Sequence, residues 1–328
     1  MKKILILFYF SLFINNSKAQ GLIFDSAAFN KTPELSVERG ILPSSYSLEK
    51  YLPILLTQKE STCVAVSFSL ARTIMVAVED NITDKSKITR LHFSPYFIYY
   101  LAREKDDLQC SGGLKLRTAG DIAKSIGFEK LINVEFPNYY PFANNNLCPS
   151  KIEFFPPQLE AHVKNAKRYK INELYGTKNI EGVKYSISHN MPVVLGLQIP
   201  KSFLSVKTKL WVPLSTEIKS KSIGGHAVVA IAYNDNLYGG SVLIANSWGE
   251  TWGSKGLTWI RYKDLKKWMD EAYIMEPTYS YKSEAPDEIP KSNNNIKSQT
   301  FKVKQFGSKY TYDNKELIKV FKMNNENK

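Results

Sequence analysis

The sequence predicts an α+β fold in two lobes with a cleft between them. Three observations predict it. Two apolar segments, Cys63 to Glu79 and Ser94 to about Arg103, carry helix-start signals. From Pro192 to Tyr262 they fall into short β-branched runs separated by turn residues. The 328 residues are 43% hydrophobic and 23% charged, an ordinary globular composition that fills one large domain or two lobes without staples.

The chain opens on MKKILILFYFSLFINNSKAQ. Two lysines precede an apolar run, and Ser17-Lys18-Ala19 fits a small-x-small cleavage site. Residues 1–19 are therefore expected to be a secretory signal peptide, and the protein to be exported to a periplasm, a cell surface or the medium. The run from Ile4 to Ile14 is far short of the roughly 20 apolar residues a membrane span needs. No later stretch is long and apolar enough either, so stable membrane insertion is not expected. Residues 20–41 are weakly patterned and read as a linker or short N-terminal arm. The folded domain is expected over residues 42–276, its helical lobe over about 42–155 and its strand lobe over about 156–276. From residue 277 onward the composition shifts to Lys, Asn, Ser and Tyr, with KSNNNIKS in its midst, and a mostly disordered tail is expected.

Within the domain, Cys63 to Glu79 is apolar nearly all round, which predicts a buried central helix. Ser61 or Thr62 stands where a cap belongs. Ser94-Pro95 opens a second helix with proline at its first position. Residues 119–127, AGDIAKSIG, read as a third, ended by Gly127. PVVLGLQI (192–199), HAVVAIAY (226–233), SVLIAN (241–246) and LTWIRY (257–262) read as strands. The formal net charge is +13, but it is spread along the chain with no arginine-rich block, which argues against a nucleic-acid partner. Three cysteines in an exported chain leave at least one thiol unpaired. The cysteines and histidines lack metal-ligand spacing, so neither a metal nor a cofactor is implied.

Cys63 opens the central helix, where the positive end of the macrodipole favours the thiolate, the nucleophilic form. On this feature alone a buried core cysteine is the commoner reading. A thiolate needs a base. His226 follows Ser-Ile-Gly-Gly at a strand start, whereas His92, His162 and His189 lie in a helix lead-in, a lysine-rich segment and a helix end. Asn246 ends the next strand, twenty positions after His226. An amide there can hold the imidazole in one orientation and tautomer, and Trp248 can shield that hydrogen bond from water.

These motifs together resemble the papain-like cysteine peptidases, in a bacterial form, over residues 42–276. LPSSYSLEKYLP resembles the start of the mature domain, and QKESTCVAVSFS the segment with the oxyanion glutamine and the nucleophile. CSGG (110–113) resembles the glycine turn of the cleft, GGHAVVAIAY the histidine strand, and NSWG the asparagine-tryptophan motif. The resemblance implies a two-lobe fold with a helical lobe, an antiparallel β-barrel-like lobe and the active site in the cleft. It implies that Cys63 attacks the scissile carbonyl, that His226 forms an ion pair with it and that Asn246 orients His226. Gln58 and the Cys63 N–H would stabilise the oxyanion. Gly112 and Gly113 would pair with an extended substrate backbone, with Trp248 beside them. The implied partner is a protein or peptide substrate, an endopeptidase is favoured over an exopeptidase, and a monomer is expected.

Departures accompany the resemblance. Ser61-Thr62-Cys63-Val64 lacks the family's glycine before the nucleophile and its aromatic after it. Gln58 stands five positions before Cys63, where the family has six, so Thr57 is the alternative. Cys63 and His226 are 163 residues apart, against roughly 130–150, and the surplus falls in a proline-rich excursion between about 138 and 178. The family partners of Cys110 and Cys148 are missing, which leaves a Cys110–Cys148 bridge or two free thiols. Only about twenty residues precede the domain after the predicted cleavage, so the family's long inhibitory prosegment is not expected. Two alternatives share the same residues: a degenerate module that binds a peptide or surface without turnover, and an amidase or acyl transferase.

Overall fold

The computed structural model describes residues 21–37, 42–58, 60–104, 107, 112–134 and 156–278. The expected signal peptide, Cys110, Cys148, the first part of the proline-rich excursion and nearly all of the expected tail lie outside the described residues. In chain order the elements are α1 (Ser26–Asn30), β1 (Ser45–Ser47), α2 (Cys63–Glu79), α3 (Lys85–Arg90), α4 (Pro95–Ala102), α5 (Leu116–Ser125) and α6 (Pro156–Ala166). After these come β2 (Ile171–Gly176), α7 (Ile180–Ser188), β3 (Val193–Ile199), α8 (Lys201–Leu204), β4 (Leu210–Trp211) and β5 (Gly224–Asn234). The chain continues through β6 (Ser241–Ala245), β7 (Leu257–Arg261), α9 (Tyr262–Trp268) and β8 (Met269–Pro277).

Local chemistry sets the helix ends. Ser94 Oγ accepts the Phe97 N–H while Pro95 takes the first helical position of α4, which satisfies one of the helix's four orphan donors. Asn179 caps α7 in the same way through Gly182 N–H. Beyond α5, Gly127 adopts φ +101°, and any side chain there would collide with the Ala166 carbonyl.

Helix α2 has no polar face: every residue from Cys63 to Ala77 is buried. It packs against α4 and α5 on one side and against β5 and β3 on the other, so it is the partition between the lobes. Each fully buried Val, Leu, Ile, Phe or Met contributes about 1.5–3 kcal/mol, and α2 carries seven such side chains, from Val64 to Val76. Its one buried cation, Arg72, pairs with Glu79 at 2.9 Å and donates to the Tyr169 carbonyl.

The strands form one sheet in the order β2-β8-β3-β5-β6-β7-β4, with β1 also paired to β5. All pairs are antiparallel except β4 with β7. The sheet is open rather than a closed barrel, and the helical half with a mainly antiparallel sheet is the expected α+β architecture. Its edge strand β2 pairs with the N-terminal segment instead of with β4: Gly176 N–H donates to Pro33 O, and Gly176 O accepts from Leu35 N–H. The four expected strands are β3, β5, β6 and β7. Strand β8, with Asp270, Glu271 and Glu276, sits inside the sheet between β2 and β3, and β1 joins the sheet from the helical half of the chain. Among the described residues no helix is long and apolar enough to cross a membrane.

Candidate active site

Cys63 is the first residue of α2, as the sequence predicts, and is completely buried. Thr62 occupies the cap position but makes no capping bond. The first-turn amides serve the sulfur instead: the N–H groups of Val64 and Cys63, together with those of Ala227 and Gly21, pull the thiol pKa down. Burial outweighs them and pushes it up to about 11. Ala227 follows His226 in β5, so the histidine strand reaches the nucleophile directly.

His226 lies on β5 with no exposed surface. Its Nε2 lies 2.7 Å from Asn246 Oδ1. That same oxygen accepts the Ser247 backbone N–H at 2.8 Å. A backbone N–H is an unambiguous donor, so the amide oxygen, not its nitrogen, faces this corner. Nε2 must then be the donor, and Nδ1 is the ring's basic nitrogen. Nδ1 is buried and hydrogen-bonds to nothing among the described residues. Trp248 covers the ring at 4.3 Å between centroids, and Phe203 flanks both. Burial drops the His226 pKa to about 4, against the opposing effect of Asn246. Burial thus pushes both groups toward their uncharged forms, the thiol pKa up and the imidazole pKa down.

Gln58 is buried and Thr57 is exposed. The Gln58 Oε1 accepts from Ser247 Oγ at 2.7 Å, its Nε2 donates to Glu60 O at 2.9 Å, and its backbone N–H donates to Ser247 O. Gln58 is thus tied to the residue after Asn246. Glu60, whose carbonyl takes the Gln58 amide, adopts φ +42°.

The chain's own residues 21–24 lie across the cleft. Leu114 N–H donates to Gly21 O at 2.8 Å, Ile23 N–H to Leu114 O at 3.0 Å, and Leu22 N–H to Gly225 O at 3.3 Å. Residues 21–24, within the stretch expected to be a linker or short N-terminal arm, are laid between the lobes, Leu22 bridging Leu114 and Gly225. Gly113 lies under it at φ +72°, where a Cβ would come within 2.5 Å of the Gly21 carbonyl. Gly112 is exposed and stands beside Asp107 instead. The strand-like pairing expected of Gly112 and Gly113 is made to this segment by Leu114, one residue further on. The remaining histidines bind other partners: His92 binds Ile54 O, His162 pairs with Glu129, and His189 binds Tyr185 O at the end of α7. Sequence reasoning missed Leu114, Gly21 and Leu22, whose partners are distant in the chain.

Fold and site define a class: two-lobe α+β proteins with a cysteine at the first turn of the central helix and an amide-oriented histidine on the facing sheet. The family model for papain family cysteine proteases matches residues 61–278, well over half of the chain, and the chain belongs to that family. It is 33% identical over 124 residues to an uncharacterized peptidase C1-like protein of Acanthamoeba polyphaga mimivirus, a match spanning 35% of this chain and 39% of the relative. It is 30% identical over 96 residues to the cathepsin B-like cysteine proteinase 3 of Ostertagia ostertagi, spanning 27% and 53%. The chain thus spans about two fifths to one half of the curated relatives it matches. Among solved structures, xylellain, a cysteine protease from Xylella fastidiosa, superposes with TM-score 0.63 at 19% identity over 79% of this chain and 96% of that one. A procathepsin B from Trypanosoma congolense superposes with TM-score 0.60 at 15% identity over 79% and 87%. At these identities the likeness is one of fold.

Proposed function

We propose that the chain is an exported peptidase, acting mainly within chains, that hydrolyses peptide bonds through Cys63, His226 and Asn246. The observation that carries this reading is the tautomer: Asn246 takes the Nε2 proton and leaves Nδ1 as the base beside the helix that bears the thiol. His226 Nδ1 accepts the Cys63 proton as the sulfur attacks the carbonyl carbon. The carbonyl π electrons move to oxygen, where the Cys63 N–H and the Gln58 amide stabilise the charge. The tetrahedral adduct collapses, the C–N bond breaks, and the imidazolium gives its proton to the leaving amine. Water, deprotonated by His226, then attacks the thioester and releases the carboxylic acid and the thiol.

Hydrolysis of an unfolded protein, followed by mass spectrometry of the fragments, tests this reading. Internal cleavage that disappears in Cys63→Ala supports it. No cleavage by wild-type protein from which residues 21–24 have been displaced would sink it, and a product carrying an amine nucleophile in place of water would assign a transferase. Export has its own check: the N-terminal residue of the mature protein recovered outside the cytoplasm should be Gln20 or Gly21.

A further inference from the structure

The oxygen of Asn246 is fully used, and its nitrogen is not. Oδ1 faces both His226 Nε2 and the Ser247 N–H, while Nδ2 is buried without a hydrogen-bond partner. Asn246 also lines a cavity of about 10 Å³ between the two halves of the molecule. Asn246 and Ser247 border it from the sheet side, Ser67 and His92 from the helical side, and the other walls are aliphatic. His92 is only 2% exposed. Its Nε2 lies 2.8 Å from Ile54 O. A carbonyl only accepts, so Nε2 carries the proton and Nδ1 is left as an acceptor. That Nδ1 is also buried without a partner. Burial lowers the His92 pKa against the pull of the Ile54 carbonyl, and Lys130 lowers it further, so the ring favours the form that keeps this lone pair. One cavity is thus bordered by a residue with a buried, unmatched donor and a residue with a buried, unmatched acceptor. Each left bare is costly. The volume decides what can join them: about 10 Å³ is room for one water and nothing larger.

We propose that this cavity is a water site joining His92 Nδ1 to Asn246 Nδ2, and that His92 is thereby a positioning residue for His226. The water donates one proton to Nδ1, accepts one from Nδ2 and offers its second proton to the Ser67 hydroxyl, one turn after Cys63 on α2. An asparagine amide can turn either end toward a histidine. A bridge that takes the NH2 group from behind keeps the oxygen toward His226, and hence the proton on Nε2 and the lone pair on Nδ1. The site itself follows from unmatched donors and acceptors; its effect on turnover rests on the peptidase reading.

A high-resolution crystal structure of the full chain should show one water within about 3.2 Å of both nitrogens, and a dry cavity would overturn the assignment. His92→Leu removes the acceptor and should lower kcat about threefold to tenfold, the worth of one hydrogen bond, with KM little changed. In the same protein, nitrogen NMR of the imidazoles should show His226 shifting toward the tautomer protonated on Nδ1, a change that lost packing alone does not produce. His92→Gln, whose Nε2 can donate to Ile54 O while its Oε1 takes the water, should restore both readings to within about twofold. Ser67→Val fills the cavity with His92 intact and should repeat the loss in kcat and the tautomer shift. Wild-type kcat and tautomer in His92→Leu or Ser67→Val, or a loss that His92→Gln does not relieve, would overturn the proposal. Water and tautomer are read without substrate. A wild-type protein that shows both and cleaves nothing would therefore sink the peptidase reading and leave the bridge standing, and a dry cavity in an active peptidase would do the reverse.

Discussion

At the scale of single residues, the site depends on who holds what. Asn246 fixes the His226 ring through one oxygen that is itself pinned by the Ser247 N–H. Replacing Asn246 by alanine frees the ring and should lower kcat on the order of a hundredfold with little change in KM, the loss expected when a reacting group is misplaced by an ångström. Gln58→Ala should cost on the order of a hundredfold to a thousandfold in kcat, the value of one oxyanion donor. A decrease of less than about threefold would remove Gln58 from the machinery. Glu271 carries a pH signature. Its pKa is raised by burial and by the acids Asp25 and Asp270, from 4.5 to about 7. A raised carboxyl contributes stability fully below pH 4.5 and loses it as pH rises through 7. The melting temperature of wild-type protein relative to Glu271→Gln should therefore fall by a few degrees across that window. A flat difference would mean that the carboxyl is solvated. Cys63, His226 and Asn246 were legible in the sequence because each lies in a short motif at an element's edge. Glu271 was not: MDEAYIMEP carries three acids among nine residues and reads as surface, and only its place between β2 and β3 buries it.

At the scale of elements, the central helix was legible to its last residue, because an unbroken apolar run of this length has only the interior to go to. The strands from β3 to β7 were legible apart from β4, which is only two residues long. Strands β2 and β8 were hidden by their acids and by mixed patterning. The segment 21–24 was hidden more deeply, since its partners are Leu114 and Gly225, far away in sequence. Its fit depends on two glycines. A Cβ on Gly21 would lie 1.9 Å from the Ser61 carbonyl, and one on Gly113 would lie 2.5 Å from the Gly21 carbonyl, both closer than real atoms approach. Gly21→Ala should therefore unseat the segment and speed the reaction of Cys63 with a thiol reagent severalfold or more, because a reactive state that is rarely populated becomes common. An unchanged rate would show that the cleft opens freely with Gly21 in place. The segment is not itself a substrate in this pose. Gly21 presents its N–H to the sulfur, and its carbonyl is held by Leu114 N–H.

At the scale of the molecule, two bodies of unlike architecture meet along α2, and the chemistry lies where they meet. The helical side supplies Cys63 and Leu114. The sheet supplies His226 and Asn246. The α+β class and the order of the lobes were legible from the change in hydrophobic period along the chain. The open sheet was not, since closure depends on what the edge strands meet, and β2 meets the Pro33–Leu35 segment. With the cleft covered, Cys63 and His226 are both buried, which favours the uncharged form of each, and residues 21–24 stand between the pair and an incoming substrate. The most direct measurement is covalent labelling of the full chain by a thiol-directed peptidyl epoxide, read by intact mass and peptide mapping. A single adduct on Cys63 is predicted, faster in Gly21→Ala, much slower in His226→Ala and absent in Cys63→Ala. No adduct on Cys63 in either wild-type protein or Gly21→Ala, or labelling that persists without His226 at the wild-type rate, would contradict the account.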